Sequence, residues 1–384
     1  MKRLITLFAA VAFAGQAMTQ PWKQQPETFD FEAKAGEVTV YYHITNDSEP
    51  YTVEIVPPSK LIGDYYSGFN GTKGDLAIPE TVVNDGKTYS VTRIGHFAFY
   101  GCTGLTSVTI PNSVTSIGDC AFYGCKGLIS MVIPNSVTVL GKSAFCYCEG
   151  LTSVSIPNSI TSISEGLFFG CHSLASVKVP ETVTNIEKDA FAHCTNLTSV
   201  NIPDGITIIN YGVFDDCRSL KSIDIPKSVK SIGSMAFSSC GFVSLSIPEG
   251  VTHIGYAAFD NCRSLKSISI PASVTQIDSL AFVSCVSLES ITIPQNITSI
   301  YAHTFWGCEN LTSVTIPNSV TTIGNAAFFS CLSLTSITIP EGVTSIGDAA
   351  FQNCHKLKNV SIPKSVTSVG KNTFKGCKFE YKEQ

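Results

Sequence analysis

The chain of 384 residues carries fifteen cysteines and seven histidines, the side chains best suited to metal binding, nucleophilic attack or disulfide formation. Thirteen of the cysteines follow a phenylalanine by three residues, from Phe99 and Cys102 to Phe374 and Cys377. They recur every 23 residues, broken once by the 22 that separate Cys240 from Cys262. No C-x-x-C pair or clustered histidine accompanies them, so the spacing matches no zinc pattern. The histidines (43, 96, 172, 193, 253, 303 and 355) are scattered and never form H-E-x-x-H. A G-x-S-x-G elbow, a phosphate-binding loop and a G-x-G-x-x-G after a strand are all missing from the sequence. Asp215 and Asp216 are adjacent in one turn, whereas paired catalytic acids face each other from separate elements, so solvation is the expected role. Catalysis needs unlike residues converging in a pocket. The chain therefore reads as a non-enzyme without cofactor or metal.

The elements that position these residues repeat with the same period. Ile-Pro recurs at Ile110-Pro111, Ile133-Pro134 and Ile156-Pro157 and onward to Ile362-Pro363, with Val179-Pro180 in one copy. A fixed period in the twenties marks a solenoid, one supersecondary unit per repeat. In the copy from Leu105 to Gly127, Leu105, Val108 and Ile110 spell L-x-x-V-x-I, and the alternation predicts a strand. Pro111 cannot donate to a ladder and ends that strand. Val114 and Ile117 then point inward, a glycine often follows, as at Gly118, and Ala121-Phe122 with Tyr123-Gly124-Cys125 predicts a tight helical turn. The expected fold is a repeat solenoid, mostly β with short helical turns. Stacking sets the cysteines about 5 Å apart, within disulfide range. An odd column of thirteen also suits small buried thiols. Cys120 and Cys146 fall outside that column and are not expected to face each other.

The copies GCTGLTSVTIPNSVTSIGDCAF and NLTSVTIPNSVTTIGNAAF resemble the BspA-like leucine-rich repeat family, the Treponema-type class with about 22 to 24 residues per repeat. The resemblance covers about residues 76 to 378. It implies a right-handed, curved leucine-rich repeat solenoid with a parallel sheet on the concave side. It also implies association with bacterial surfaces, attachment to host matrix proteins and host cells, and coaggregation. The phrase GDLAIPETVVNDGKTYSVTRIG looks like exported versions from anaerobic gut and oral bacteria.

Residues 1–20 read as a secretory signal: Lys2 and Arg3 precede a short apolar core from Leu4 to about Ala14, followed by small residues. The stretch is shorter than the roughly 20 residues that span a bilayer, and no second apolar run is long enough. Residues 21–75 read as a small β cap. Val38, Val40, Tyr42 and Ile44 alternate, Val53 and Ile55 return, and Asn84-Asp85-Gly86 predicts a hairpin. Residues 76–378 form the solenoid, of about 13 rungs, and 379–384 a C-terminal tail. Lysines from Lys356 to Lys382 solvate the last turns, with a basic docking patch as the alternative. Charged residues make up only 14% and the net charge is −5, which argues against a disordered chain and against a nucleic-acid binder.

Binding residues are sought where outward columns vary. On the strand, the residue before each Ile-Pro is mostly small, polar and uncharged (Val132 in one copy), with Lys178, Asn201 and Asp224 on consecutive rungs as the main interruption. These read either as a solvated group on the sheet or as a polar contact for a protein or glycan. The residue after each repeat phenylalanine also varies, and Trp306 and Phe329 are its aromatic candidates for a binding anchor. The first functional expectation is an exported binding protein, a surface or secreted adhesin for a host matrix, host cell-surface or bacterial protein. A glycan-binding envelope component and a passive spacer are the alternatives, and the periplasm is the alternative address.

Overall fold

The computed structural model describes residues 29–58 and 73–378. The secretory signal at 1–20, part of the expected cap and the tail at 379–384 lie outside them. Three antiparallel-linked strands open the described chain, β1 (Phe31–Ala35), β2 (Val38–Asn46) and β3 (Thr52–Val56). Next come β4 (Lys73–Ala77), β5 (Thr81–Asn84), β6 (Lys87–Ile94), β7 (Gly104–Thr109) and β8 (Ser116–Ile117). The β5–β6 hairpin closes through Asp85 and Gly86, both with positive φ, as an Asp-Gly turn requires. β3 pairs parallel with β6, and β4 parallel with β7, so β3 and β4 already supply strands to the columns that follow.

Nearly every later rung contributes a short strand to each of two parallel ladders, the rung of Asp224 lacking the longer one. One ladder runs Ser130–Val132, Ser153–Ser155, Ser176–Lys178 and Ser199–Val200, with Ser130, Ser153, Ser176 and Ser199 in register. The other holds two-residue strands such as Ser116–Ile117 and Val139–Leu140. Alternation turns one residue of each strand inward: Met131 is buried between exposed Ser130 and Val132. Pro111 opens a turn by accepting a hydrogen bond from the Val114 N–H at 3.1 Å, and later Ile-Pro units do the same.

The connecting turn differs from the expected helix, and the described residues contain none. Along the first turn, the N–H groups alternate in direction. Ala98, Tyr100 and Cys102 donate back three residues to Gly95, Phe97 and Phe99. Phe97, Phe99 and Gly101 donate to Asp119, Ala121 and Tyr123 of the next rung, at 2.9, 2.7 and 2.7 Å. A helix would direct every N–H inward along its own axis and leave nothing to bind the neighbour. Left-handed residues at Phe97 and Gly101, four apart, produce the alternation, and each later turn repeats them. The first of these positions is held by Met235, Ala257 and Leu280 in later rungs. A left-handed side-chain residue costs roughly 1–2 kcal/mol, and here the inter-rung hydrogen bonds hold it in place.

Two side-chain columns fill the interior. The thirteen phenylalanines stack with centroids 5.2–5.7 Å apart and planes within 16° of parallel. Beside them the cysteines are free thiols. In twelve successive rung pairs the sulfur lies 3.0–3.3 Å from the carbonyl oxygen of the preceding rung's phenylalanine, as Cys125 does to Phe99. The thiol is thus both a small core residue and a weak donor to a carbonyl that a wholly apolar side chain would leave less satisfied. Burial pushes the Cys148 and Cys194 thiols up to about 12, so the reactive thiolate is suppressed. Cys120 and Cys146 are buried free thiols as well.

Candidate interaction surface

Lys178, Asn201 and Asp224 fall on consecutive rungs of the longer strand ladder, but they do not form one charged group. Lys178 and Asp224 are exposed and two rungs apart, and no ion pair joins them among the described residues. Asn201 has a backbone partner. In other rungs the isoleucine N–H donates to a main-chain carbonyl of the next rung, as Ile133 does to Ser155. At Val179 the partner is the Asn201 side chain, which accepts from the Val179 N–H at 2.8 Å and donates to the Val179 carbonyl at 2.9 Å. Its amide nitrogen also reaches Glu181 Oε1 at 3.3 Å. The ladder stops here and resumes at Ser244–Ser246, because the carboxamide takes the place of a strand bond.

In its first half, the column after each phenylalanine is buried at Tyr100, Cys146 and Ala192 and half-buried at Tyr123 and Phe169. Tyr100 and Tyr123 stack at 4.8 Å, and Tyr147 and Phe169 meet edge-on at 5.4 Å, followed by His193 at 4.9 Å from Phe169. An acidic stretch comes next. Asp216 was expected to be solvated. It instead pairs with His193 at 3.2 Å and takes two hydrogen bonds from Arg218 at 2.6 and 3.0 Å. Burial works to raise Asp216, but His193 and Arg218 hold it below its usual value. Burial pushes Asp189 and Asp260 up to about 6, with Asp215 adding repulsion to both. Among the described residues, no group of three or more His, Cys, Asp or Glu side chains is placed to hold a metal ion.

Trp306 is different. Its ring is 38% exposed and meets His303 and Phe329 edge-on at 5.6 and 6.0 Å, while Phe329 is half-buried. Two further rings stand out nearby, Tyr256 at 47% and Tyr301 at 43% exposure. On the rung between these tyrosines, Asp278 is bonded to His253 Nε2 at 2.9 Å and accepts from Gln276 Nε2 at 2.7 Å. The patch therefore spans consecutive rungs: Tyr256 and His253 on one, Gln276 and Asp278 on the next, Tyr301, His303 and Trp306 on the third.

Trp306 is visible in the sequence as an aromatic outlier, but Tyr301 and Asp278 are not. They occupy the position after the second strand that is glycine in most rungs. At Gly324 an added Cβ would lie 2.7 Å from the Ala302 nitrogen, so rungs approach too closely there for an ordinary side chain. The glycine is replaced on these two consecutive rungs, but also at Ser164, Glu187 and Asn210, so its loss alone does not mark the patch.

The BspA-type leucine-rich repeat region profile matches six copies, at residues 87–198, 184–312 and 275–382. The chain is 32% identical to a leucine-rich repeat protein from Bacteroides ovatus, covering 91% of this chain and 93% of that one, with a TM-score of 0.74. A leucine-rich cell surface protein from Faecalibacterium prausnitzii is 29% identical over 92% and 93%, with a TM-score of 0.57. A leucine-rich repeat protein from Eubacterium ventriosum, 23% identical over 92% and 96% with a TM-score of 0.56, shares the fold. No curated protein matches the chain. Among the described residues no helix is long and apolar enough to cross a membrane. Fold, period and profile agree that the chain belongs to the BspA-type leucine-rich repeat family.

Proposed function

We propose that this chain is an exported bacterial binding protein of the adhesin type. It engages a host matrix, host cell-surface or bacterial protein through the face that carries Tyr256, Tyr301 and Trp306. The observation that carries the reading is the exposure of three large aromatic rings within three consecutive rungs of a solenoid whose repeat phenylalanines are buried. Tyrosine and tryptophan are the residues most enriched at the energetic centres of protein interfaces. Phe329 supports the Trp306 ring from behind. Lys178 and Asp224 form a lesser polar contact on the strand ladder, with Asn201 fixing the local backbone. The cell-surface name borne by the Faecalibacterium relative supports an address outside the cytoplasm.

The test immobilises matrix and bacterial surface proteins and measures binding of the full chain, its Trp306→Ala variant and its Tyr301→Ala variant. Binding that falls at least about tenfold in either variant supports the reading. Binding equal to that of the unaltered chain contradicts it. A second reading, glycan capture, is favoured by the hydrogen-bonded Asp278 placed between two exposed tyrosines, since sugars present both hydroxyls and an apolar ring face. A glycan array separates the two, and silence in both assays leaves the passive spacer.

A further inference from the structure

Two adjacent columns of side chains converge on the rung of Asp278. In the column that holds Asp278 and Tyr301, side chains reach the preceding rung: Ser164 donates to the Leu140 carbonyl and Asn210 to the Ile186 carbonyl. In the next column they reach the following rung, where Asp119 accepts from the Lys142 N–H and Asn325 from the Asp348 N–H. Tyr256 belongs to this second column and lies one rung before Asp278, whereas Tyr301 lies one rung after it. The two exposed tyrosines therefore lean toward Asp278 from opposite sides. Rungs stacked at roughly 4.8 Å set them about 10 Å apart. A cation between them is then about 5 Å from either ring, inside the roughly 6 Å over which a ring face attracts positive charge.

Asp278 gives this cleft its charge. From Asn210-Tyr211 to Gly324-Asn325, over successive rungs, the two columns hold no lysine or arginine and no other carboxylate. The Asp278 side chain is 25% exposed, and no lysine or arginine pairs with it among the described residues. One of its oxygens is bonded to His253 Nε2 and the other accepts from Gln276 Nε2, so each holds one bond and has room for another. A protein that covers Tyr256 and Tyr301 also covers this carboxylate. An apolar surface would leave it buried without a counter-charge, at a high cost. Arginine meets both demands, because its fork of N–H donors fits the two carboxylate oxygens and its flat face stacks on aromatic rings. Lysine brings a point charge without the plane.

We propose that the partner seats an arginine between Tyr256 and Tyr301 with its guanidinium forked onto Asp278, a recognition that rests on the docking face proposed above. The tyrosines supply the ring faces, and Asp278 selects for positive charge.

The probes are a blocked glycine–arginine–glycine tripeptide and its citrulline and lysine counterparts, titrated into the full chain by calorimetry up to millimolar concentration. Citrulline keeps the shape of arginine and lacks the charge. The arginine peptide should bind at least about tenfold more tightly than the citrulline peptide, and more tightly than the lysine peptide. Asp278→Asn should lose at least about tenfold for the arginine peptide. Tyr256→Leu should weaken it about threefold, and Tyr256→Phe, which keeps the ring face, should bind as the unaltered chain does. Glu341→Gln removes an exposed carboxylate elsewhere and should change nothing.

Equal binding of the arginine and citrulline peptides overturns the proposal, as does full binding by Asp278→Asn. An equal loss in Glu341→Gln overturns it too, since the attraction would then belong to the net charge of the chain. Glycan binding that the arginine peptide does not displace assigns Asp278 to sugar hydroxyls and has the same consequence. None of these results depends on a whole protein partner. The Trp306→Ala comparison on immobilised proteins is read separately, which distinguishes a docking face that ignores arginine from the lack of a docking face.

Discussion

Phe305 and Trp306 are neighbours in the chain, yet one lies in the core and the other at the surface. Phe305 is 1% exposed and lies parallel between Phe282 and Phe328, at 5.6 and 5.3 Å. Trp306 stands 38% exposed and touches its ring neighbours only edge-on. In exposure the contrast is local, since Tyr100, Cys146, Ala192, Ser238 and Val283 of the second column are buried; in residue identity it runs along the whole solenoid. The phenylalanine column never changes residue, while the next column runs through Tyr123, Phe169, Asp215, Asp260, Trp306 and Lys375. A ring stacked on identical rings above and below has no freedom to vary, because each substitution opens a cavity against two neighbours at once. One residue further on, the side chain leaves the stack and its identity is free to vary. The packing column and the column that carries the proposed anchor Trp306 are therefore separated by a single position, not by domains.

Substitutions at the two columns break this contrast in graded steps. Phe237→Ala lies in mid-stack, against Phe214, Phe259 and Phe242, and should cost about 3–5 kcal/mol in chemical denaturation. Gly141→Ala would drive a Cβ into the Asp119 nitrogen and the Gly118 carbonyl carbon of the preceding rung, with an expected loss of about 1–3 kcal/mol by the same measurement. Cys217→Ala removes the donor to the Phe191 carbonyl and a small core volume, for about 1 kcal/mol. A titration in denaturant without reductant should return fifteen thiols, and a number far below that would refute the free-thiol column.

Asp189 and Asp260 sharpen the contrast by pH. Both are raised to about 6 by burial, against roughly 4 in an unfolded chain. A folded value above the unfolded one means that their contribution to stability is complete below about pH 4 and is lost as pH rises through about 6. Asp189→Asn should therefore slow hydrogen exchange in the surrounding rungs at pH 7.5, by an effect on the order of 1 kcal/mol, and leave it unchanged at pH 4. Exchange that is equally affected at both values would show that the carboxyl is not buried in its charged form.

Much of the fold is legible in the sequence because inward positions repeat every 23 residues and each must meet its own copy on the next rung. The turn is less legible. Its left-handed positions are occupied by Met235, Ala257 and Leu280, residues with no preference for that conformation, so the inter-rung hydrogen bonds and not local propensity set the backbone there. The thiol donors are hidden for a related reason, since a buried cysteine reads first as a small apolar residue. At the surface, Trp306 announces itself by size. Asn201 does not, because its role depends on a main-chain partner 22 residues earlier. Tyr301 and Asp278 are visible only as absent glycines.

The most direct test of the division between the two columns is a paired measurement on Trp306→Ala, comparing melting temperature and partner binding in the same preparation. The account predicts an unchanged melting temperature, with stability altered by less than about 0.5 kcal/mol as expected of an exposed side chain, and binding weakened at least about tenfold. A lowered melting temperature with full binding would contradict it and make Trp306 a packing residue like Phe305.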